Sequence, residues 1–227
     1  MKENLYATYE HKSIYALLMA AAGMMGAYTF TLRGGVFCNA QTANVVLMSI
    51  AMGKGNWSNA LYYLIPISAY LLGALISELF INPVRKIGVL RWNTYLVAIE
   101  AVVLFGIGFV PLSVPDKFVQ VTINFIASMQ YNSFRQAEGI PMATTFCTNH
   151  VRQMGISIAN VIKNRNSESL KRGAVHLMMV LFFIAGGISL TYSNRAFGER
   201  SIWLALIPLG ITLMLLVHAD IAESRKK

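Results

Sequence analysis

The chain has 227 residues, a formal net charge of +9, a 56% hydrophobic composition and only 13% charged residues. Soluble domains carry about 25% charged residues, so a water-soluble globular fold is excluded. Apolar runs at 13–31, 60–77, 95–112, 174–190 and 202–217 each approach the ~20 residues that cross a bilayer, which makes this a polytopic all-α integral membrane protein.

The segments predicted in chain order lie at 13–32, 42–53, 58–80, 92–112, 118–134, 142–162, 173–192 and 201–219. The first is longer than the apolar region of a secretory signal and lacks a small-x-small cleavage site, so it reads as a retained helix. It carries the pair Ala22 and Gly26, as the third carries Ala69 and Gly73; such spacing lets helices approach closely. Trp57, Trp92 and Trp203 stand near segment starts, where interfacial indoles belong. Pro66 and Pro208 are expected to kink their helices. Glu78, His176 and His218 read as interfacial, and the polar stretch 163–172 reads as a loop. Cys38 and Cys147 read as packing residues rather than a disulfide or metal site.

Eight full crossings would put the basic groups Arg85/Lys86/Arg91 and Lys163/Arg165/Lys171/Arg172 on opposite sides. Counting the first two segments as one net crossing, and the fifth and sixth likewise, removes the conflict with the positive-inside rule. About six net spans then place both basic groups, Lys2, Lys12 and Arg225-Lys226-Lys227 in the cytoplasm with both termini. The basic excess is thus explained by the membrane, and no nucleic-acid partner is expected.

Three crossings per half means the second half enters from the opposite face. The expected organisation is a single integral membrane domain over 1–227. It contains a first repeat at 13–112 and a second, inverted repeat at 118–219, each opening with a broken element. The hinge is Pro115-Asp116-Lys117. One register aligns Phe30 with Phe134, Gly35 with Gly139, Thr42 with Thr148 and Ile50 with Ile156; another aligns Phe37-Cys38 with Phe146-Cys147.

The breaks carry the polar chemistry. The first holds Gly34-Gly35, then Asn39, Gln41, Thr42 and Asn44. Irregular polar backbone at bilayer depth persists only where protein buries it or it lines a wet cavity. Thr42 is expected to N-cap a short helix over 43–52. The second holds Asn132, Arg135, Glu138, Gly139, Thr148, Asn149, His150 and Arg152. Arg135 and Glu138 have the spacing of a local ion pair, and Pro141 has the chemistry to start a helix. Glu100 stands at mid-depth in the fourth segment, where a carboxyl is either protonated or paired with Arg152 or His150. The same groups serve equally well as a binding site or as caps and interhelical hydrogen bonds.

The elements Gly26-Ala27-Tyr28-Thr29-Phe30 with Thr42-Ala43-Asn44, and Gln130-Tyr131-Asn132-Ser133-Phe134-Arg135 with Thr148-Asn149, resemble the two marks of the YoaK-like bacterial inner-membrane proteins. The resemblance spans about 15–217 and implies a multi-pass α-helical protein of the bacterial plasma membrane, with no settled substrate. Tyr28 stands where an acidic residue is expected, and Ala43 and Asn149 stand in place of signature glycines.

No G-x-S-x-G, H-E-x-x-H, Walker A or Cys-x-x-Cys motif is present, so an enzyme is not expected, nor a cofactor or metal. The leading expectation is a small secondary transporter or channel for a polar solute, acting alone or as a homodimer. Asn39, Gln41, Thr42, Asn44, Asn132, Thr148, Asn149 and His150 would form its site near the midplane, with Glu100 and Arg152 as coupling or gating charges. The alternative is a non-transporting membrane scaffold or partner protein.

Overall fold

The structure, a computed structural model, describes residues 7–84 and 88–225. Lys2, Arg85, Lys86, Lys226 and Lys227, which enter the charge count, lie outside the described residues. Its helices are α1 (Lys12–Leu32), α2 (Gln41–Gly53), α3 (Trp57–Val84), α4 (Trp92–Ile107), α5 (Asp116–Ser133), α6 (Thr148–Asn164), α7 (Ser167–Phe197) and α8 (Leu206–Ser224). A two-stranded hairpin, β1 (Gln136–Ala137) with β2 (Ile140–Pro141), separates α5 from α6. A 3-10 turn, Gly198–Ala205, joins α7 to α8.

Among the described residues, three helical stretches are long and apolar enough to cross a membrane: Lys12–Leu32, Trp57–Leu79 and Ser167–Ser224, the last including both α7 and α8. The distribution of polarity suits lipid. Leu71, Val102 and Ile162 are 68%, 70% and 76% exposed, while Arg33, Glu100, Gln120, Asn124 and Gln130 are fully buried. Polar groups sequestered from hydrocarbon must find partners in the protein.

Two expectations fail at helix ends. The polar stretch 163–172 is not a loop: α7 begins at Ser167, because Asn166 Oδ1 accepts from the Glu168 and Ser169 amides and Arg172 pairs with Glu168 at 2.8 Å. An N-cap and an i,i+4 pair extend the helix through a charge-rich sequence. Pro208 sits in the first turn of α8, where a missing amide breaks no helical bond, so it does not interrupt a span. Pro66 lies inside α3, which continues through it.

Helix ends gather at two poles. At one, the Gln136 amide donates to Tyr15, Lys12 pairs with Glu138, Trp92 donates to Ser133, and Arg91 pairs with Asp220. At the other, Arg33 donates to the Pro111 carbonyl, Asn194 donates to Thr31, and Trp203 donates to the Phe105 carbonyl. α1 packs chiefly on α7, and α5 chiefly on α3. Both pairs run parallel: Gly23 lies beside Phe183 and Thr31 beside Asn194, and likewise Gly73 beside Ser128 and Ser77 beside Ser133. Both crossings close on glycine. A Cβ at Gly186 would stand 2.1 Å from the Ala20 carbonyl oxygen, and one at Gly73 would stand 2.3 Å from that of Phe125. Backbones this close leave no room for any side chain, which explains the small residue at Gly73 of the Ala69/Gly73 pair.

Candidate functional site

The first break begins where α1 ends. Gly34 and Gly35 take φ of +75° and +70°, left-handed values that favour glycine, and they turn the chain back along α1. Asn39 then donates to the Ala22 carbonyl at 3.0 Å and lies against Gly26, where a Cβ would come within 2.9 Å of its amide. α2 starts at Gln41 with Ala40 at its N-cap and no side-chain cap. Thr42, expected to cap it, is exposed in the first turn.

Asn44 closes the loop instead. Its Oδ1 accepts from the Phe37 amide at 3.1 Å, and its Nδ2 donates to the Phe37 carbonyl at 2.7 Å and to Gln41 Oε1 at 3.1 Å. A side-chain amide does this because it donates and accepts at once.

α5 supplies the rest of the support. Gln41 donates to Asn124 Oδ1 at 2.8 Å, Asn124 donates to the Gln120 carbonyl at 2.8 Å, and Gln120 Nε2 donates to the Arg33 carbonyl at 2.7 Å. The Arg33 guanidinium is fully buried. It donates to Tyr28 Oη at 3.3 Å and 3.2 Å, to the Pro111 carbonyl at 3.1 Å and to the Val110 carbonyl, with Asp116 at 3.9 Å. A buried cation needs its donors occupied; the Tyr28 phenol takes two of them, at the position where an acid was expected.

The second break opens with a surface ion pair. Arg135 bonds Glu78 of α3, not Glu138, and Asn132 bridges both, 3.0 Å from Glu78 and 2.7 Å from Arg135. Glu138, at φ +48°, and Gly139, at +75°, form a two-residue hairpin turn of the kind that needs positive φ at both positions. That turn carries Glu138 away from Arg135 to Lys12, 2.7 Å from its ammonium. Partial burial alone would raise the Glu138 pKa, but hydrogen bonds and charge from Lys12 outweigh it and hold the carboxyl below its usual range.

Pro141 ends β2 rather than starting a helix, and α6 begins only at Thr148. Between them the Thr144 carbonyl accepts from Gln130 Nε2 at 3.1 Å. His150 Nε2 lies 2.9 Å from the Ala143 carbonyl, a reach back of the same length in sequence as that of Asn44 to Phe37. His150 Nδ1 lies 3.0 Å from His176 Nδ1. His176 is therefore buried, not interfacial, and His150 pairs with it rather than with Glu100. Thr148 is exposed, and Arg152 donates to Asn149 at 3.4 Å on the α6 surface.

The structure thus joins Gln41 to Asn44, Asn132 to Arg135, and Asn149 to Arg152, but no hydrogen bond links one break directly to the other among the described residues. Asn39 lines a groove of about 770 Å³ between α1 and α7, whereas Asn132 and Asn149 line another, of about 400 Å³. The common element is α5, whose Asn124 serves the first break and Gln130 the second, about 9 Å apart at 1.5 Å per residue. Several buried side-chain oxygens find no hydrogen-bond partner among the described residues, including both Glu100 carboxyl oxygens, Gln120 Oε1, Gln130 Oε1 and Thr144 Oγ1.

Arg33, Gln120 and Asn124 are the supporting residues that sequence reading passed over; Gln130 entered only through the family resemblance, and His176 was read as interfacial. The available signal was Gln120-x-x-x-Asn124, one turn apart in an apolar segment.

A family model described as "Protein of unknown function (DUF1275)" matches residues 14–215. The chain belongs to this family. It is also similar to the UPF0700 transmembrane protein YoaK of Bacillus subtilis (strain 168), 20% identical over 220 residues, covering 95% of this chain and 96% of that protein. The resemblance carried by the two polar breaks therefore holds over nearly the whole chain, and the apolar helices are those of a membrane protein family. No solved structure matches the chain.

Proposed function

We propose that this protein is a small secondary transporter or channel for a polar solute, built from six crossings in two inverted halves, in the bacterial plasma membrane with both termini cytoplasmic. The observation that carries the reading is the buried polar face of α5. Gln120 and Asn124 hold the first break and Gln130 holds the second, yet Gln120 Oε1 and Gln130 Oε1 of α5, and Thr144 Oγ1 in the loop that Gln130 holds, accept nothing from the described residues. An unpaired buried acceptor costs about 1–3 kcal/mol. Acceptors spaced along one helix are what a solute with N–H or O–H donors would satisfy while passing from one break to the other.

The inverted arrangement is supported by the exchange of partners between halves. α1 crosses α7 as α5 crosses α3, each on a glycine, and α1 ends in its break at one pole while α5 ends at the other. Broken helices meeting near the midplane are how many transporters bind polar cargo. Asn39, Gln41 and Asn44 serve from the first half, Asn132, Asn149 and His150 from the second; Thr42 and Thr148 contribute from the entrances. Glu100 and Arg152 act as coupling or gating charges. The protomer works alone or as a homodimer.

The scaffold reading is favoured by one observation: Asn44 and His150 each bond their own preceding loop, as structural clamps do. A thermal-shift screen of polar solutes on the purified protein separates the two. Transport predicts a stabilising ligand whose shift is lost in Asn44→Ala, Asn124→Ala and Asn149→Ala. A ligand shift unchanged in all three would refute the α5 route.

A further inference from the structure

Two imidazoles meet in the interior between α6 and α7. His150 and His176 are 0% and 2% exposed, with their Nδ1 atoms 3.0 Å apart. The partner of His150 Nε2 is the Ala143 carbonyl oxygen, at 2.9 Å. A carbonyl only accepts, so His150 carries its hydrogen on Nε2 and presents Nδ1 as an acceptor. The bond between the rings then requires the hydrogen of His176 on Nδ1, which leaves Nε2 of His176 bare. One loop carbonyl thereby sets both tautomers.

Most ionisable groups on the packed elements have other partners. Arg152 bonds Asn149, Arg172 bonds Glu168, Lys12 bonds Glu138, Tyr15 bonds the Gln136 amide, Tyr28 bonds Arg33, and the Tyr131 ring lies tilted against Phe146. Cys147, Lys163 and Lys171 lie on the same elements and, among the described residues, make no hydrogen bond to either ring. Among the described residues, the two rings hydrogen-bond only to each other and to a neutral carbonyl.

We infer that the His150–His176 pair is a binding site for one proton, and that a second proton opens the contact between α6 and α7. The first proton enters at Nε2 of His176. The bond between rings survives, with Nδ1–H of either ring donating to Nδ1 of the other, so the charge passes from His176 to His150 by moving a single hydrogen. A second proton forces N–H against N–H at 3.0 Å and places two like charges in an apolar interior, where each is costly. α6 carries the second break, so its release would uncover the loop that Ala143 and Thr144 belong to.

The test is an NMR titration of full-length, 15N-histidine-labelled protein in lipid nanodiscs, from about pH 8 to about pH 4. His11 and His218 are assigned by His11→Gln and His218→Gln. At the alkaline end one buried ring should be the Nε2–H tautomer and the other Nδ1–H. Acid should then move the shifts of both rings in one shared transition worth one proton, with a second proton entering only as folded signals are lost. Two rings in the same tautomer, independent transitions, or two protons bound in an intact fold would each overturn the inference. The wild-type protein alone decides it; His150→Gln adds that His176 should lose the shared transition.

Discussion

The two breaks share a plan and differ in chemistry. Each ends a parallel-paired helix, turns on left-handed residues, and sends a short helix back with a first-turn side chain bonded to its own loop. In the first, that side chain is Asn44, and the neighbours are neutral amides around the buried Arg33. In the second it is His150, and the neighbours are ion pairs at the surface and a second histidine inside. A neutral clamp keeps its hydrogen bonds across pH, whereas an imidazole clamp exchanges protons. On the proposals above, the first break is built to stay put and the second to respond.

The sharpest way to break this contrast is Arg33→Met. It strips the Val110 and Pro111 carbonyls and Tyr28 of their donor, and orphaned buried groups cost about 1–3 kcal/mol each. A loss of about 3 kcal/mol is expected in denaturant unfolding from mixed micelles, the same at neutral and at mildly acid pH. A pH-dependent loss would contradict the fixed character of the first break.

Next, Gly73→Ala and Gly186→Ala test whether the halves are mechanical equivalents. Each inserts a Cβ against a carbonyl oxygen, at 2.3 Å and 2.1 Å, and overpacking of this sort costs about 1–3 kcal/mol. Similar losses of thermal stability are expected; a silent substitution at either site would mean the crossings are not alike.

Smaller effects follow for the clamps. Asn44→Ala and His150→Ala should each cost about 1–2 kcal/mol through the lost loop bonds. Only His150→Ala should change the pH profile of unfolding.

The smallest effect is at the hairpin, where Glu138→Gln removes a partly exposed ion pair worth less than about 1 kcal/mol. Its carboxyl is held below the usual range, so the stabilisation is present above the unfolded-state pKa. It disappears as pH falls through the folded-state value. Wild type and Glu138→Gln should converge in acid and diverge at neutral pH when followed by thermal unfolding.

Much of this arrangement could be read from the residues. Long apolar runs gave the helices, because hydrocarbon demands them, and Gly34-Gly35 and Glu138-Gly139 marked the turns. Partners across the fold were less legible. Arg135 and Glu138 are neighbours in sequence, but the hairpin sends one to Glu78 and the other to Lys12. Thr42 looked like a cap, yet the side chain that closes the loop is Asn44, which both donates and accepts. His176 looked interfacial because it sits near the start of its apolar run; α7 in fact begins nine residues earlier, at Ser167, which draws His176 inside. Gln120 and Asn124 were hidden by an apolar neighbourhood, although their spacing put them on one face.

A solute route between the breaks along the polar face of α5 requires that face to be reachable from water. It is tested most directly by Asn124→Cys in a Cys38→Ala, Cys147→Ala background, probed in sealed vesicles of both orientations with a membrane-impermeant thiol reagent. Labelling of the folded protein from at least one side is expected, slowed by any solute that stabilises the wild type. Labelling only after denaturation, from neither side of the intact membrane, would contradict it.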